Sequence, residues 1–493
     1  MGMDAKVADE LRIIIDAALR GQVSEEQLGR VHDMGRVACI ALGLAQSHRI
    51  LELTTTQAKP KGPHTPSGAV PPYEKPAATD KKRRKKKPGA RKGHKGSRRP
   101  PVVPQARVAI PPLTTCPCCG HAVEDAAKVR TRIIEDLLEN LSTLATEYTI
   151  PRHWCPNCKK HVEPGVSAAM PGATIGNRAV ALSTVFHYGL GLTIDQVREV
   201  LLGTFQTHVS AGGLVDIWRR TADAFSPWYD QIGEEAKASA TLHADETGWR
   251  VDGQTYWLWC FCNHRCCWYM IDPKRGQDPL TSFFAEAFEG VLIHDFWRPY
   301  SAVVLDGEGE HQCCLVHLLR EMSHIEAHHL SEKPPQAAED WSAFHKKVKR
   351  LIHDGIHLRR QPDFTPERYR SRIVRIDERL MELARAEYVD ADARRLAKRL
   401  ERHCNEIFTF LDRPEADWNN NFAERQIRPA VVLRRNSQCN RSDRGAATQA
   451  VLMTIYRTLK LRGVDPIKAI TSALETWSST GKLPPLPSGA ADG

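Results

Sequence analysis

Residues 239–249 read SATLHADETGW and begin the part of the chain that decides the fold. Four further runs rich in Trp, Tyr, Val, Ile and Cys follow between turn signals: TYWLWCFCN (255–263), CWYMIDPKR (267–275), GVLIHDFW (290–297) and EHQCCLVHLL (310–319). Runs of this length and composition are typical of β-strands. Three consecutive hairpin-like strands and a helix-linked fourth and fifth predict a mixed five-stranded sheet with helices.

Acidic residues stand at informative positions in these runs. Strand alternation sends Asp245 to one face of the sheet and Glu246 to the other, so only one of them can belong to a given site. Asp295 ends the apolar run GVLIHD, where a buried carboxylate is costly unless a positive charge lies opposite. A divalent cation is a suitable partner, since Mg²⁺ prefers carboxylate and phosphate oxygens. Asp272 and Asp306 are competing candidates, and each acid alone also fits a cap or a turn.

The stretch WNNNFAERQIRP, residues 418–429, predicts a short helix that carries Glu424 and ends at Pro429. If this helix brings Glu424 to Asp245 and Asp295, three carboxylates converge, and their mutual repulsion favours two bound cations. Two metals about 3.5 to 4 Å apart can activate a nucleophile and stabilise the leaving oxygen in phosphodiester cleavage. The simpler alternative is an ion pair between Glu424 and Arg428 at i+4.

Helical patterns flank the predicted strands on both sides. Over 174–235 a capping box at Thr193 and Gln196 starts one helix, and a second follows after a short turn. The pair fits either a DNA-binding helix-turn-helix, with Arg219 and Arg220 near phosphates, or an ordinary helical hairpin. Beyond residue 325, apolar stripes in YRSRIVRIDERLMELARAEY and RRLAKRLERHCNEIFTFL predict a helical block before the Glu424 motif.

The net charge of +10 is concentrated in one segment. Residues 81–99, KKRRKKKPGARKGHKGSRR, hold 12 Lys or Arg and no acid, which leaves the rest of the chain with 57 basic and 59 acidic residues. Such a run fits either a solvated tail or an extended arm along phosphates, and its Pro/Gly-rich setting between two parts of the chain favours nucleic acid. The predicted DNA contacts in this arm are Lys81, Lys82, Arg83, Arg84, Lys85, Lys86, Lys87, Arg91, Lys92 and Lys95.

The chain has 14 cysteines, no run that could form a membrane helix and no signal-peptide pattern at its start, so a cytosolic protein is expected. In that setting, paired C-x-x-C spacings indicate metal rather than disulfides. One structural Zn²⁺ in a zinc ribbon is predicted, with four ligands: Cys116, Cys119, Cys155 and Cys158. Cys118 departs from the usual knuckle pattern and could compete for the metal. Cys260, Cys262, Cys266 and Cys267 also resemble a zinc site, although buried free thiols are the favoured interpretation.

Several motifs together resemble the transposases of the insertion-sequence-66 family. They are HADETGW (243–249), HDFWRPY (294–300), the C-L-V-H of QCCLVHLLREM (312–322), and NNNFAERQIRP (419–429) followed by LRRNSQCNRSDRGA (433–446). The resemblance extends from the GHKG of the basic linker to about residue 475. It implies an RNase H-like α/β core with a DDE triad of Asp245, Asp295 and Glu424 that binds two Mg²⁺ or Mn²⁺ ions. It also implies that the helical block is an insertion in the catalytic domain.

Two further groups acquire candidate roles from this resemblance. Cys314 and His317 match a C-x-x-H motif found in several DDE transposases, which we interpret as structural or as orienting DNA near the site. In the Glu424 helix, Arg425 and Arg428 would approach DNA phosphates, while Asn420 and Asn421 would make polar contacts near the acid.

The predicted organisation has eight parts. They are an N-terminal helical module (1–58), a basic Pro/Gly-rich linker (59–110), a zinc ribbon (111–165), a helical region with the possible helix-turn-helix (166–237), the first part of the catalytic core (238–327), the helical insertion (328–415), the second part of the core (416–475) and a flexible tail (476–493).

The expected function is a DNA transposase that binds the terminal inverted repeats of an insertion sequence and catalyses metal-dependent strand cleavage and strand transfer. Its expected partners are double-stranded DNA, further copies of the chain in a dimer or larger assembly, and accessory proteins of the same element, with no membrane. Action at the bacterial nucleoid in the cytoplasm follows. The alternatives are a zinc-containing DNA-binding regulator derived from a transposase, without cleavage, and a nuclease that does not join strands. The complete set of three acids favours an active enzyme over a decayed copy.

Overall fold

The structure is a computed structural model that describes isolated positions between residues 11 and 17 and residues 24–34, 143–150, 153–157, 159–162, 165–303, 309–332 and 335–489. The chain divides into two compact units, Met1–Ala77 and Ala78–Gly493. The predicted basic arm, residues 81–99, lies outside the described residues. No helix in the described ranges is long and apolar enough to cross a membrane.

The first unit is helical where it is described. Helix α1, Glu25–Asp33, begins at a capping box in which Ser24 Oγ accepts the Gln27 backbone N–H at 3.2 Å and Gln27 Oε1 accepts that of Ser24 at 2.9 Å. Leu11, Ile14 and Val31 are buried together.

A short hairpin is described in the second unit, around the second predicted zinc knuckle. Strands β1, His153–Cys155, and β2, Lys160–Val162, pair antiparallel, with Cys155 opposite Lys160. Cys116, Cys119, Cys158 and the Cys155 side chain lie outside the described residues, so the zinc ribbon stays a prediction.

Helices α2, Asn177–Thr184, α3, Ile194–Phe205, and α4, Ala211–Lys237, precede the central sheet, with a π-helical turn between α2 and α3. The capping box of Thr193 and Gln196 forms as predicted at the start of α3. Helix α4 buries Trp218, Phe225 and Trp228 in the main core, and Arg220 donates to the Pro171 carbonyl oxygen. Both interpretations of the helical pair, a hairpin and a helix-turn-helix, therefore stay predictions.

Five strands form one mixed sheet, as the sequence predicts. They are β3, Thr241–Val251, β4, Gln254–Cys262, β5, Cys267–Asp272, β6, Val291–His294, and β7, Glu310–Cys313; helix α5, Asp278–Phe284, lies between β5 and β6 in the chain. Their order is β5-β4-β3-β6-β7. The first three strands pair antiparallel, whereas β6 is parallel to β3 and β7 is parallel to β6.

The last strand is shorter than predicted. The run EHQCCLVHLL was expected to be extended throughout, yet β7 ends at Cys313 and a helix begins at Leu315. The neighbouring strand β6 ends at His294, so the chain loses its pairing partner there. Cys314 therefore lies at the junction of strand and helix, where its backbone N–H donates to the His294 carbonyl oxygen at 2.7 Å.

The next six helices in the described part of the chain form a second core. They are α6, Leu315–Glu332, α7, Pro335–Arg359, α8, Arg370–Arg385, α9, Ala391–Arg402, α10, Cys404–Ile407, and α11, Thr409–Asp412. Val291 and Ile293 of β6 pack into this core, whereas Leu292 between them packs into the main core. Alternation along β6 thus joins the helical block to the sheet.

Three helices complete the main core: α12, Asn421–Ser437, α13, Asp443–Leu461, and α14, Pro466–Thr480. The hydroxyls of Thr458 and Thr454 in α13 accept the backbone N–H groups of Cys267 and Tyr269 at 3.1 and 3.0 Å. Helix α13 therefore covers the exposed edge of β5, which would otherwise present unpaired backbone groups.

The prediction that the Glu424 helix ends at Pro429 is wrong. Helix α12 continues through Pro429 to Ser437. Ile427 and Ala430 on either side of the proline are buried, as is Leu433 one turn later. Burial of this apolar stripe offsets the backbone hydrogen bond that proline cannot make.

The structure also differs from the flexible tail expected from residue 476. Helix α14 continues to Thr480, and Leu486 beyond it is buried. Trp228 Nε1 donates to the Pro484 carbonyl oxygen at 2.9 Å, and Arg462 Nη1 donates to that of Pro487 at 2.7 Å. These contacts are supplied by residues far away in the chain, so local composition did not reveal them.

Candidate active site

Asp245 in β3 and Asp295 directly after β6 lie at the same distance along the chain from the last residue pair of these two parallel strands. The pairing of β3 with β6 has His243 opposite Ile293 as its last pair, and each aspartate follows two residues later. Asp245 Oδ1 accepts the Glu246 backbone N–H at 3.0 Å, and Asp295 Oδ1 accepts that of Trp297 at 2.9 Å. Parallel pairing in this register brings the two acids to the same region of the sheet.

Asn420 anchors the start of α12 beside Asp245. Its Nδ2 donates to the Ala244 carbonyl oxygen at 2.7 Å, and its Oδ1 lies 3.1 Å from His243 Nδ1. Its backbone N–H donates to Cys314 Sγ at 3.1 Å. The side chain is buried, and Glu424 follows one helical turn later. The polar contacts expected of Asn420 are therefore contacts within the protein.

The far end of α12 is also fastened to β3. Arg434 Nη1 donates to Thr247 Oγ1 at 3.1 Å and to the Gly248 carbonyl oxygen. His243, Asp245 and Thr247 alternate along β3 and so share one face of the sheet. Helix α12 consequently lies along the face that carries Asp245.

Glu424 pairs with two residues of α6. Its Oε1 lies 3.0 Å from Arg320 Nη1 and 3.5 Å from His317 Nε2. Within the described ranges these two side chains pair with Glu424, while Arg428, the partner suggested by i+4 spacing, is exposed. Arg320 was missed by the sequence analysis, although its position one turn after His317 was a usable signal.

The C-x-x-H residues thus both contact the segment that carries Glu424. Cys314 accepts the Asn420 backbone N–H, and His317 reaches the Glu424 carboxylate. Of the two interpretations given to this motif, these contacts support a structural one.

The acids interact electrostatically across the site. Burial raises the pKa of Asp245 well above its usual range, and the charges of Glu246, Asp295 and Glu424 raise it further. Burial also raises the pKa of Asp295, although the Trp297 N–H and the charge of Arg275 oppose this. Carboxyl groups whose charges raise the pKa of a buried neighbour can be ionised together most readily with a cation between them. Their oxygen donors fit a divalent ion such as Mg²⁺.

The three carboxylates do not yet form a closed ligand set. In the described part of the chain, some groups of three His, Cys, Asp or Glu residues have ligand atoms that all lie within 4.8 Å of one another. Asp245, Asp295 and Glu424 are not such a group. Glu424 is held by Arg320 at one oxygen, and its side chain is 32% exposed. Sharing a cation would therefore require Glu424 to leave Arg320 and turn toward the aspartates.

Glu246 occupies the opposite face, as alternation predicts. Arg275 Nη2 lies 2.9 Å from its Oε1, and the Tyr300 hydroxyl donates to its Oε2 at 2.7 Å. Burial and the charge of Asp295 raise the pKa of Glu246, while Tyr300 and Arg275 oppose the shift. The Arg275 guanidinium also lies 4.4 Å from the ring centres of Trp257 and Trp297. Both oxygens of Glu246 are used, so this acid is structural.

Of the two competing acids, only Asp272 is described, and it is not brought to the site. Asp272 ends the edge strand β5, and its Oδ1 accepts the Lys274 backbone N–H at 2.7 Å. Asp306 lies outside the described residues. Arg425 and Arg428 are both exposed on α12, and the Arg425 guanidinium lies 5.6 Å from the centre of the Phe422 ring.

Four cysteines in β4, in β5 and in the turn between them are buried in the main core: Cys260, Cys262, Cys266 and Cys267. The sulfur atoms of Cys260 and Cys267 are 3.6 Å apart. Burial raises the pKa of Cys260 and Cys262 well above the usual range, which keeps these thiols neutral. Because one ligand atom from each of Cys260, Cys262 and Cys267 also lies within 4.8 Å of the other two, buried free thiols and a metal site both stay predictions.

Comparison with known proteins gives one family and several relatives. Residues 172–448, which include Asp245, Asp295 and Glu424, match the family described as "Transposase IS66 family". The chain is 22% identical over 406 residues to the uncharacterized protein y4hP of Sinorhizobium fredii, covering 74% of this chain and 71% of y4hP. It is 22% identical over 408 residues to the uncharacterized protein y4jD of the same organism, covering 76% of this chain and 77% of y4jD.

Proposed function

The chain belongs to the IS66 family of transposases, and on that premise we propose that it binds the terminal inverted repeats of an insertion sequence, cleaves the DNA strands and transfers them to target DNA. The observation that carries the proposal is the placement of the three acids. Asp245 and Asp295 each follow the last pair of the parallel strands β3 and β6 by two residues, and the helix that carries Glu424 is bound to β3 through Asn420 and Arg434. The strand order β5-β4-β3-β6-β7, with three antiparallel and two parallel strands, supports an RNase H-like core.

The three acids are proposed to hold two Mg²⁺ or Mn²⁺ ions. Such ions, when bound, would supply activation of a water or 3′-hydroxyl nucleophile and stabilisation of the leaving oxygen. The protein's own part is orientation: the Trp297 backbone N–H holds Asp295, Asn420 fixes the start of α12, and Arg320 with His317 holds Glu424.

DNA is the partner that a transposase requires, and different parts of the chain are proposed to contact it. Arg425 and Arg428 are exposed on the helix that carries Glu424, which suits contacts to phosphates near the cleavage site. The basic arm, residues 81–99, would follow the DNA backbone. Pairing of two DNA ends would need at least two copies of the chain, together with accessory proteins of the same element.

The zinc ribbon is proposed to lie beside this DNA-binding region. The hairpin of β1 and β2 around the CPNC turn supports it, because a knuckle of two thiolates needs such a turn. Cys155→Ser in the full chain should reduce the zinc content by one equivalent. Unchanged zinc content would contradict the ribbon.

The cleavage proposal is tested with labelled element ends and Mg²⁺ in vitro. Asp245→Asn, Asp295→Asn and Glu424→Gln should each abolish strand cleavage while leaving DNA affinity nearly unchanged, because each neutralises one acid and keeps its shape. Asp272→Asn is the matched control, since it removes a strand-end aspartate of the same sheet away from the site. Residual cleavage in any of the three variants would remove that residue from the triad. Binding without cleavage by the unmodified protein would instead favour a regulator.

A further inference from the structure

A second group of metal-binding side chains lies outside the acid site, where β7 meets the end of the inserted helices. Cys313 is the last residue of β7, His403 follows α9, and Glu406 lies in α10. Cys313 and His403 are buried, and the Glu406 side chain is 22% exposed. One ligand atom from each residue lies within 4.8 Å of the other two.

The three distances are close to those of a tetrahedral metal site. Cys313 Sγ lies 3.3 Å from Glu406 Oε2 and 4.0 Å from His403 Nδ1, and the latter two atoms are 2.7 Å apart. With Zn–S near 2.3 Å and Zn–N or Zn–O near 2.0 to 2.1 Å, tetrahedral angles give ligand separations of about 3.3 to 3.6 Å. Changes of about 0.6 Å or less in these separations would therefore accommodate an ion.

The three ligand types, a thiolate, an imidazole and a carboxylate, indicate which metal the site would bind. A thiolate and an imidazole are poor ligands for Mg²⁺, which prefers oxygen, whereas together with a carboxylate they suit Zn²⁺. We propose that Cys313, His403 and Glu406 bind a structural Zn²⁺ ion that fastens the inserted helices to β7. Binding releases the Cys313 thiol proton to solvent, and His403 coordinates through Nδ1 with its remaining ring proton on Nε2.

The residues that carry the ligands are held in register by hydrogen bonds around the cluster. Thr409 Oγ1 donates to the His311 carbonyl oxygen at 2.6 Å, and the Phe410 backbone N–H donates to Gln312 Oε1 at 2.9 Å. Gln312 Nε2 donates to the Ile407 carbonyl oxygen at 3.1 Å. These bonds tie β7 to the segment containing α10 and α11, so little ordering is needed on metal binding.

A pair of histidines extends from this cluster to Asp295. The Asp295 carbonyl oxygen, 2.5 Å from His294 Nδ1, can only accept, so that nitrogen carries the proton. His294 Nε2 then accepts from His311 Nδ1 at 3.0 Å, which leaves a lone pair on His311 Nε2. His311 lies two residues before Cys313 on the same side of β7, so it is the candidate for the fourth ligand, and its ring would have to move closer because it is outside the group whose ligand atoms lie within 4.8 Å of one another. The metal would thereby also support the backbone of Asp295.

Zinc content of the purified full-length protein tests the proposal. Cys313→Ser and Glu406→Gln should each contain one equivalent less zinc per chain than the unmodified protein, measured by mass spectrometry of the metal. Cys404→Ser is the matched control, because Cys404 adjoins His403 in sequence, is half-buried and lies outside the cluster. The same zinc content in the two ligand variants and in the control would overturn the proposal. One equivalent of another metal at this site would overturn the assignment of zinc.

Two variants guard against misfolding and against confusion with the zinc ribbon. Glu406→Gln retains the shape of the side chain, so it carries the test if Cys313→Ser does not fold, with circular dichroism as the check. A double variant, Cys155→Ser with Glu406→Gln, should lose two equivalents, which separates this site from the ribbon. No DNA is used in these measurements, so their outcome is independent of the proposed transposase activity.

Discussion

Arg320 Nη1 lies 3.0 Å from Glu424 Oε1, although the two residues are 104 positions apart in the chain. A side-chain cation thus occupies an oxygen of the carboxylate that is proposed to bind metal. Arg320 is 58% exposed, so solvent screens the pair and its contribution to stability is about 1 kcal/mol or less. The consequence of this ion pair should therefore appear in metal affinity rather than in folding.

Arg320→Gln should increase the affinity of the site for divalent cations. The positive guanidinium competes with a metal for Glu424, and glutamine removes this competition. Mn²⁺ binding without DNA, measured by titration calorimetry, should show a lower dissociation constant than in the unmodified protein.

Arg428→Gln is the matched control for Arg320→Gln, because it removes an exposed arginine one turn from Glu424 that is not paired with it among the described residues. Its Mn²⁺ affinity should change less than that of Arg320→Gln. Equal or weaker Mn²⁺ binding in Arg320→Gln than in this control would contradict competition.

Asn420→Ala should destabilise the protein and reduce cleavage more than DNA binding. The change leaves the buried Ala244 carbonyl oxygen and His243 Nδ1 without their partner, at a cost of about 1 to 3 kcal/mol. It also frees the start of the helix that orients Glu424. The free energy of unfolding from denaturant titration and the cleavage rate measure the two effects. Asn421→Ala changes the neighbouring half-buried residue and should reduce the free energy of unfolding and the cleavage rate by less. Equal losses in the two variants would show that Asn420 has no special positioning role.

The stability of the metal-free protein should depend on pH through Asp245. The pKa of Asp245 is raised in the folded state, so the native protein keeps a proton that the unfolded chain releases near pH 4. The free energy of unfolding therefore falls as the pH rises from about 4 to the raised pKa of the folded state. Asp245→Asn cannot ionise. With metal chelated, its free energy of unfolding relative to the unmodified protein should increase over this pH range and then level off. Added Mg²⁺ should reduce the difference, and a difference that is constant with pH would refute the predicted destabilisation.

Deleting residues 81–99 should flatten the salt dependence of DNA binding. An arm that makes six to ten phosphate contacts loses roughly 10³ to 10⁵-fold in affinity between 50 and 200 mM salt. Fluorescence anisotropy over this salt range measures the slope. Deletion of residues 62–80 removes the same length of linker with a single lysine and is the matched control. Equal slopes for the two deletions would make the arm a spacer.

Much of the fold could be predicted because strands and helices are encoded locally. Alternation and composition gave the five strands and their mixed arrangement, and the capping box at Thr193 gave the start of α3. Boundaries that depend on distant contacts were missed. Helix α12 passes through Pro429 because buried neighbours support it, and residues 482–489 pack because Trp228 and Arg462 bind their carbonyl oxygens.

The candidate site also combines features that the sequence predicts with features that only the structure shows. The sequence by itself determined which acids were available and that Asp245 and Glu246 face opposite sides, because side-chain direction in a strand has a period of two. Only the tertiary structure decided their partners. Glu246 is bound by Arg275 and Tyr300, whereas Glu424 is held by Arg320 from across the helical insertion. Pairings over 100 residues of chain depend on how the elements pack, and no local pattern records that packing.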